Sequence, residues 1–471
     1  MNRAIFESHV PEDFCDKNIC VLGLGFVGVT LATTMAEVGF NVTGIEIRND
    51  LFKMLSSAKP YFFEPGLSAQ LKRVIERGSL KIYQKIPENC KSTVFIITVG
   101  TPLDENKEIN LSSIQNICFD ISGHLKDGDL VILRSTVKLG TTRSVVIPTL
   151  DMTGKEFEVA FCPERTVEGQ AMSELRYLPQ VIGSNKRVTS IRASHIFQFL
   201  TPTVLLVKDL ETAEMIKLID NTKRDVFFGF SNEVARLCDA AGLSAEEVIR
   251  IGRFGYSRTD LPTPGPVGGP CLSKDSHILA QSMQEFGVTP SIAIAARKIN
   301  EEQPEEVIRF LGEYINSCKF PKKMTISLMG IAFKGKPATD DLRGTTAKPI
   351  FEALKREFPN AEFFGYDPVV NPKAIREFGL IPIPEPQQAF EQVNLTLILN
   401  NHPFFSTMPI EKWAAEMAKP GIIYDFWNNF SEKNLCLPES IRYVTLGSHH
   451  YIRSKQSVKQ NNSVRREELF V

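Results

Sequence analysis

Residues 18 to 46 carry the pattern that narrows the fold most: an apolar run NICVLG, the turn LGFVG, a helical stretch VTLATTMAEVG and a second apolar run NVTGIEI. Strand, glycine turn, helix and strand in that order make a βαβ unit. Further runs, VFIITV at 94–99, DLVILRST at 129–136 and EFEVAFC at 156–162, are continuous in apolar residues rather than alternating. That fits strands of a parallel sheet covered by helices on both faces. From Asp209 to Ala241 a helical apolar period runs without proline, so one long helix is expected, and Ser244 with Glu247 supplies an S-x-x-E capping box for another helix through Ile251. The segment 252–270, dense in glycine and proline, is expected to be a loop of special geometry. A second α/β region begins near Lys323 with MTISLMGIAF and continues through a helix at 346–357 and strands in AEFFGYD, LTLILN and GIIYDFW. It reads as a smaller doubly wound domain.

At 471 residues the chain exceeds a single compact core, and roughly 150 residues per domain predicts two or three. Apolar residues at 43% and charged residues at 23% are the composition of a globular protein. The net charge of −1, with no long run of one sign, gives no surface for nucleic acid or an anionic membrane. The opening residues lack the apolar core of a signal peptide, and no stretch reaches the roughly 20 apolar residues of a membrane span, so the cytoplasm is the expected compartment. Nine cysteines lie singly, with no CxxC pair, so neither a disulfide framework nor a metal site is expected. Cys20 and Cys162 sit in strand-like runs and Cys238 in a helix, as small buried hydrophobes do.

Gly23, Gly25 and Gly28 form G-x-G-x-x-G, with Phe26 and Val27 between, directly after a strand and at the mouth of a helix. The first glycine permits a tight turn, the second lets backbone approach a pyrophosphate at the helix N-terminus, and the third allows close helix–strand packing. Glu46 ends the next strand, about 20 residues on, where an acid accepts the ribose hydroxyls and favours NAD over NADP. Arg48, two residues further, is placed to meet a 2′-phosphate instead.

Lys217 with Asn221, and Cys271 with Asp275, are spaced i, i+4, so each pair shares one face if the local backbone is helical. Cys271 follows a glycine-rich loop, where a helix N-terminus and a lysine would stabilise its thiolate. Each residue also has a plain reading: a packed thiol, a solvated lysine, ordinary surface polars.

The surrounding motifs decide between these readings. VLGLGFVG, VGTPLDE at 99–105, RSTVKLGTT at 134–142, CPERTVEG at 162–169, KLIDNTKRD at 217–225, GPVGGPCLSKD at 265–275 and GIAFKGKPATDDLR at 330–343 occur in order. Over residues 17–430 the chain resembles the UDP-glucose and GDP-mannose dehydrogenase family of nucleotide-sugar 6-dehydrogenases. The resemblance implies two doubly wound Rossmann-like α/β domains joined by a central helical segment with one long helix. The implied division is an NAD-binding domain at 1–205, a dimerisation and catalytic segment at 206–305, a UDP-sugar-binding domain at 306–450 and a polar tail at 451–471 expected to be disordered. It implies NAD as cofactor, a UDP-sugar as substrate and a homodimer through the long helix. Thr101, the Ser135-Thr136-Val137 turn, Lys274 and Arg343 look like cofactor contacts. Glu164, Arg165, Lys217, Asn221, Arg258, Gly268 and Lys334 look like substrate contacts.

The implied chemistry is a four-electron oxidation of a C6 alcohol to a uronic acid. A base, acting through a water held by Thr136 and a carboxylate or by Lys217, takes the hydroxyl proton. Cys271 then adds to the aldehyde, Lys217 and Asn221 stabilise the oxyanion, and Asp275, Glu168 or Glu164 positions the water that hydrolyses the thioester. The PERTVEG turn leans toward a UDP-N-acetylhexosamine, with UDP-glucose close behind and GDP-mannose further. Where the family carries an arginine in a D-x-R turn, this chain reads YDFWNN. A silent nucleotide-sugar binder and a two-electron hydroxyacid-type dehydrogenase are the competing functions; neither has use for both Cys271 and Lys217.

Overall fold

The structure is a computed structural model that describes residues 9–430 and 435–450; the polar tail at 451–471 lies outside the described residues. Two compact units divide the chain: Met1–Thr222 with Lys274–Pro290, and Lys223–Ser273 with Ser291–Val471.

The first unit is built on eight strands, β1 (Asn18–Leu22), β2 (Asn41–Ile45), β3 (Leu80–Tyr83), β4 (Val94–Ile97), β5 (Asp129–Leu133), β6 (Phe157–Phe161), β7 (Gln180–Gly183) and β8 (Val204–Val207), in the order β3-β2-β1-β4-β5-β6-β7-β8. All neighbours are parallel except β6 and β7, which touch antiparallel at Phe161 and Gly183. The reason for the continuous apolar runs is now visible: every residue of β4 and β5 is buried. One hydrophobic cluster packs the helix Phe26–Glu37 on one face through Val29, Leu31, Ala32 and Met35, and another fills the other face through Ile114, Ile117, Cys118 and Ile121. The strand order reverses between β1 and β4, so the loops leaving their carboxyl ends part there and open the crevice in which such sheets hold ligands.

The second unit repeats the plan with β9 (Thr325–Met329), β10 (Glu362–Tyr366), β11 (Ile381–Pro382), β12 (Leu395–Ile398), β13 (Gly421–Asp425) and β14 (Ile441–Thr445), ordered β11-β10-β9-β12-β13-β14 and parallel throughout. Its switch point lies between β9 and β12. The expected long helix spans Leu210–Ala241, 32 residues, and its residues up to Thr222 fall in the first unit and the rest in the second. Ser244 caps the next helix by accepting the Glu247 N–H at 3.3 Å, and that helix runs to Arg253, two residues past the expected end.

One local expectation is corrected. Cys271 and Asp275 do not share a helix: the helix is Asp275–Gln284, and Cys271 lies in the turn before it. Gly269 takes φ +94, outside the helical region, and residues 270–274 form turns, so helical backbone begins only at Asp275. Among the described residues no helix is long and apolar enough to cross a membrane.

Candidate active site

The crevice of the first sheet is lined by the residues the glycine pattern singled out. Gly23 adopts φ +91 as the chain leaves β1, and a side chain there would strike Val99. Gly25 caps the first helix and has nothing within 4 Å of where a Cβ would stand, so backbone is open to a ligand. At Gly28 a Cβ would lie 1.9 Å from the Gly23 carbonyl oxygen and 2.7 Å from Thr98 Oγ1, so helix and turn meet with no room for a methyl. Phe26 stacks on Phe62 with centroids 3.7 Å apart, Val27 is half-buried beside it, and the Tyr61 hydroxyl holds the Leu24 carbonyl at 3.1 Å. These features fit a dinucleotide pyrophosphate at the helix N-terminus.

Glu46 follows β2, buried, and accepts the Arg48 N–H at 2.9 Å. The Arg48 guanidinium points elsewhere, into Asp50 at 2.7 Å. A cation already paired with a neighbouring carboxylate is poorly placed to take a 2′-phosphate, which leaves Glu46 to meet the ribose and favours NAD. Around the rest of the crevice, Ser135 donates to the Val99 carbonyl at 2.6 Å and Thr101 to the Thr136 carbonyl at 2.6 Å. Lys274 binds both the carbonyl and the hydroxyl of Thr101, each at 3.1 Å, tying the start of the Asp275–Gln284 helix to the loop after β4. Thr136 is half-buried in the loop that follows β5.

A second group in this unit gathers around the long helix. Asn221 donates to Asp275 Oδ2 at 2.5 Å, both side chains buried, while Asp275 Oδ1 has no hydrogen-bond partner among the described residues and only the Lys274 ammonium at 3.8 Å. One turn earlier Lys217 is 8% exposed, and its ammonium donates to no acceptor among the described residues. A buried charge with no partner is costly, so this arrangement is suited to a ligand oxygen.

The CPERTVEG turn is held by carboxylates. Arg134 gives Nε and Nη2 to Glu164 Oε2 at 3.1 and 2.7 Å, and Glu164 Oε1 accepts the N–H groups of Arg165 and Thr166, each at 2.7 Å. Burial by itself pushes the Glu164 carboxyl up, but the Arg134 charge and the Thr166 N–H outweigh it and hold the group below the usual carboxylate range. With both oxygens engaged, Glu164 is built to shape the turn rather than to hold a water. Arg165 pairs with Asp220 of the long helix at 2.9 Å, and Glu168 is half-buried in the same turn. Glu64 accepts the Gly169 N–H at 2.7 Å.

In the second unit, Cys271 is an exposed thiol, in no disulfide. Its loop is pinned by a buried cluster that sequence reading missed. Arg297 pairs with Asp225 at 2.8 Å and donates to the carbonyls of Leu272 at 2.9 Å and Val267 at 3.2 Å; Asn300 donates to Asp225 at 2.8 Å. The available signal was a charged residue and two amides, Arg297, Asn300 and Gln303, among the buried and largely apolar residues of the helix Ser291–Ser317. A Cβ on Gly268 would meet the Gly344 carbonyl at 2.3 Å, so that glycine is required by close backbone contact. Arg258 is exposed, stacked over Tyr256 at 5.1 Å. Lys334 follows β9, 5.2 Å from the Phe333 ring centroid, and Arg343 forms a two-pronged pair with Asp341. The turn after β13 is organised by buried Asp425, which accepts from Tyr443, Trp427 and Asn429; burial pushes its carboxyl above the usual range.

Residues 17–201 match the NAD binding domain of the UDP-glucose/GDP-mannose dehydrogenase family, 211–302 its central domain and 327–432 its UDP binding domain. A UDP-N-acetyl-D-mannosamine dehydrogenase from Pyrococcus horikoshii is 33% identical over 359 residues, 75% of this chain and 84% of that one. Another, from Escherichia coli K12, is 29% identical over 408 residues, 83% and 94% of the two chains. A solved structure of the Pyrococcus horikoshii UDP-D-ManNAc dehydrogenase aligns with a TM-score of 0.82 at 29% identity, covering 92% of this chain and all of that one. The fold and crevice are those of an NAD-dependent oxidoreductase acting on a CH–OH group. The chain belongs to the UDP-glucose/GDP-mannose dehydrogenase family.

Proposed function

We propose that this protein oxidises the C6 alcohol of a UDP-N-acetylhexosamine, with UDP-N-acetylmannosamine as the first candidate, to the uronic acid by way of a covalent intermediate on Cys271. The relatives named above act on that sugar, and the PERTVEG turn leans the same way. The observation that carries the chemistry is Lys217, a largely buried side chain whose ammonium has no acceptor among the described residues, one helical turn from the Asn221–Asp275 pair.

Two NAD molecules, bound in turn at the first crevice, would each accept one hydride, the first from the C6 alcohol to give the aldehyde and the second from the thiohemiacetal on Cys271. Gly23, Gly25, Phe26, Val27, Gly28, Glu46, Thr101, Ser135, Thr136 and Lys274 form the NAD-binding surface, and the family resemblance also assigns Arg343 to the cofactor. Thr136 holds the water through which the hydroxyl proton leaves. The Cys271 thiolate then adds to the aldehyde carbon, and the carbonyl pair moves onto oxygen. Lys217 and Asn221 stabilise that oxyanion, the kind of preorganised donor worth about 3–4 kcal/mol in the transition state. Loss of the second hydride leaves a thioester, and water, oriented by Asp275 with Glu168 nearer the sugar, releases the acid and restores the thiol. Glu164 sets the turn that presents Arg165 and Glu168. Arg258, Gly268 and Lys334 serve the sugar nucleotide. The long helix leaves Ile219, Phe230 and Leu237 between 48% and 60% exposed, which supports a homodimer along it.

The test is turnover with NAD and a panel of UDP-N-acetylmannosamine, UDP-N-acetylglucosamine, UDP-glucose and GDP-mannose, counting NADH per acid. Two NADH per acid, fastest with a UDP-N-acetylhexosamine, is expected. One NADH per sugar would select the two-electron hydroxyacid type, and turnover with none of the four would leave a silent binder.

A further inference from the structure

The loop that carries Cys271 is gripped at its start by an aromatic ring from the turn after β13. Gly265 is held by two side chains. Asn232 makes both amide bonds to it, Nδ2 donating to the Gly265 carbonyl at 3.0 Å and Oδ1 accepting its N–H at 2.9 Å. The Trp427 indole closes against it so tightly that a Cβ on Gly265 would stand 2.7 Å from indole Cδ2 and Cε2. The ring has little freedom to retreat: Nε1 donates to the Leu399 carbonyl at 2.9 Å, its edge meets Phe228 with centroids 6.1 Å apart, and its backbone N–H is held by Asp425 at 3.1 Å.

From Gly265 to Cys271 the backbone has almost no slack. Arg297 holds the carbonyls of Val267 and Leu272, and the Gly269 N–H is bonded to the Gly344 carbonyl at 2.7 Å. A displacement at Gly265 is therefore passed along the loop rather than absorbed in it. Trp427 itself lies just past β13, at the carboxyl edge of the second sheet where a ligand of this fold is bound.

We propose that Trp427 is a positioning residue for the nucleophile loop: it fixes Gly265, and so places Cys271, and it makes that placement responsive to a nucleotide bound at the ends of β9, β12 and β13. The inference rests on Cys271 being the nucleophile.

The experiment compares Trp427→Ala, Trp427→Phe and Gly265→Ala in the full-length protein by two readouts, steady-state kinetics and the rate of Cys271 alkylation by iodoacetamide with and without UDP. Trp427→Ala is expected to lower kcat on the order of 100-fold, the cost of misplacing a reacting group by about 1 Å, to leave the KM for NAD unchanged, and to abolish the effect of UDP on alkylation. Trp427→Phe keeps an aromatic face on Gly265 and restores both. Wild-type kcat and a wild-type UDP response in Trp427→Ala overturn the proposal, as does a kcat loss that Phe fails to recover. If Trp427→Ala does not fold, Gly265→Ala, which forces the same contact apart, must show the same kcat loss; wild-type kcat there is equally fatal. Failure of the covalent reading appears separately, as full double oxidation by Cys271→Ala, while alkylation of the wild-type thiol still reports the loop.

Discussion

Replacing Lys217 by Met should make the protein more stable and nearly inactive. Met matches the length of the lysine stem and removes the charge. Lys217 is 8% exposed and its ammonium meets no acceptor among the described residues, so folding removes part of its water with no protein bond in return. Removing such a partly hydrated group relieves at most about 1 kcal/mol, the low end of the range for a buried unsatisfied donor. Against that stands the attraction Lys217 exerts on Glu164, which is small in consequence because Glu164 already holds two bonds from Arg134 and two from backbone N–H groups. A small net gain, under about 1 kcal/mol in unfolding free energy, is the expected balance. Activity moves the other way. Loss of one oxyanion donor costs roughly 10²–10³ in kcat, about 2.7–4 kcal/mol of transition-state stabilisation. The assays are the urea unfolding midpoint of the first unit's transition and NADH formation at saturating substrate. A variant less stable than wild type would refute the claim that the ammonium is unsatisfied, and one with unchanged kcat would refute its role in the reaction.

Other outcomes follow from the same geometry. Gly28→Ala places a methyl 1.9 Å from the Gly23 carbonyl oxygen, so NAD titration should show binding weakened at least tenfold and stability lowered by about 1–3 kcal/mol; wild-type affinity would mean the turn yields more easily than it is built to. Asp50→Ala combined with Glu46→Gln releases Arg48 and removes the acid facing the ribose, so the ratio of kcat/KM for NADP over NAD should rise, and an unchanged ratio would remove both residues from cofactor choice. Arg134→Met strands the buried Glu164 carboxylate at a cost of about 3–5 kcal/mol at pH 7. Because Glu164 is held below its unfolded value of about 4.3, the stability it contributes is present above that value and lost as pH falls through the lower folded one. The difference between variant and wild type should therefore be smaller at pH 4 than at pH 7, and a constant difference would contradict the assignment.

What the sequence disclosed, and what it withheld, divides along a physical line. Features set by neighbours in the chain were legible: the glycine turn, the fully buried runs of β4 and β5, and the long helix, which begins one residue from its expected start at Asp209. The shorter outer strands were not: β3 and β8 leave half their residues open to solvent, β3 is interrupted by Lys81, the apolar run of β8 is only four residues long, and β11 has only two residues. Whether Cys271 shares a helical face with Asp275 was left conditional on the local backbone, because spacing says nothing of the left-handed Gly269 two residues before it. The Arg134–Glu164 pair spans 30 residues and the Arg297–Asp225 pair 72, so only the folded chain shows which charges meet. Trp427 stood out in the sequence as a departure, but its packing on Gly265 is a contact between residues far apart in the chain.

The account depends above all on an acyl group passing through the thiol of Cys271. Quenching a single turnover of UDP-N-acetylmannosamine and NAD in acid, followed by mass analysis of the peptide containing Cys271, tests this directly. A sugar-nucleotide acyl adduct on that cysteine, released by hydroxylamine, is the predicted result. Uronic acid formed at full rate by Cys271→Ala, with no adduct on any wild-type peptide, would contradict it.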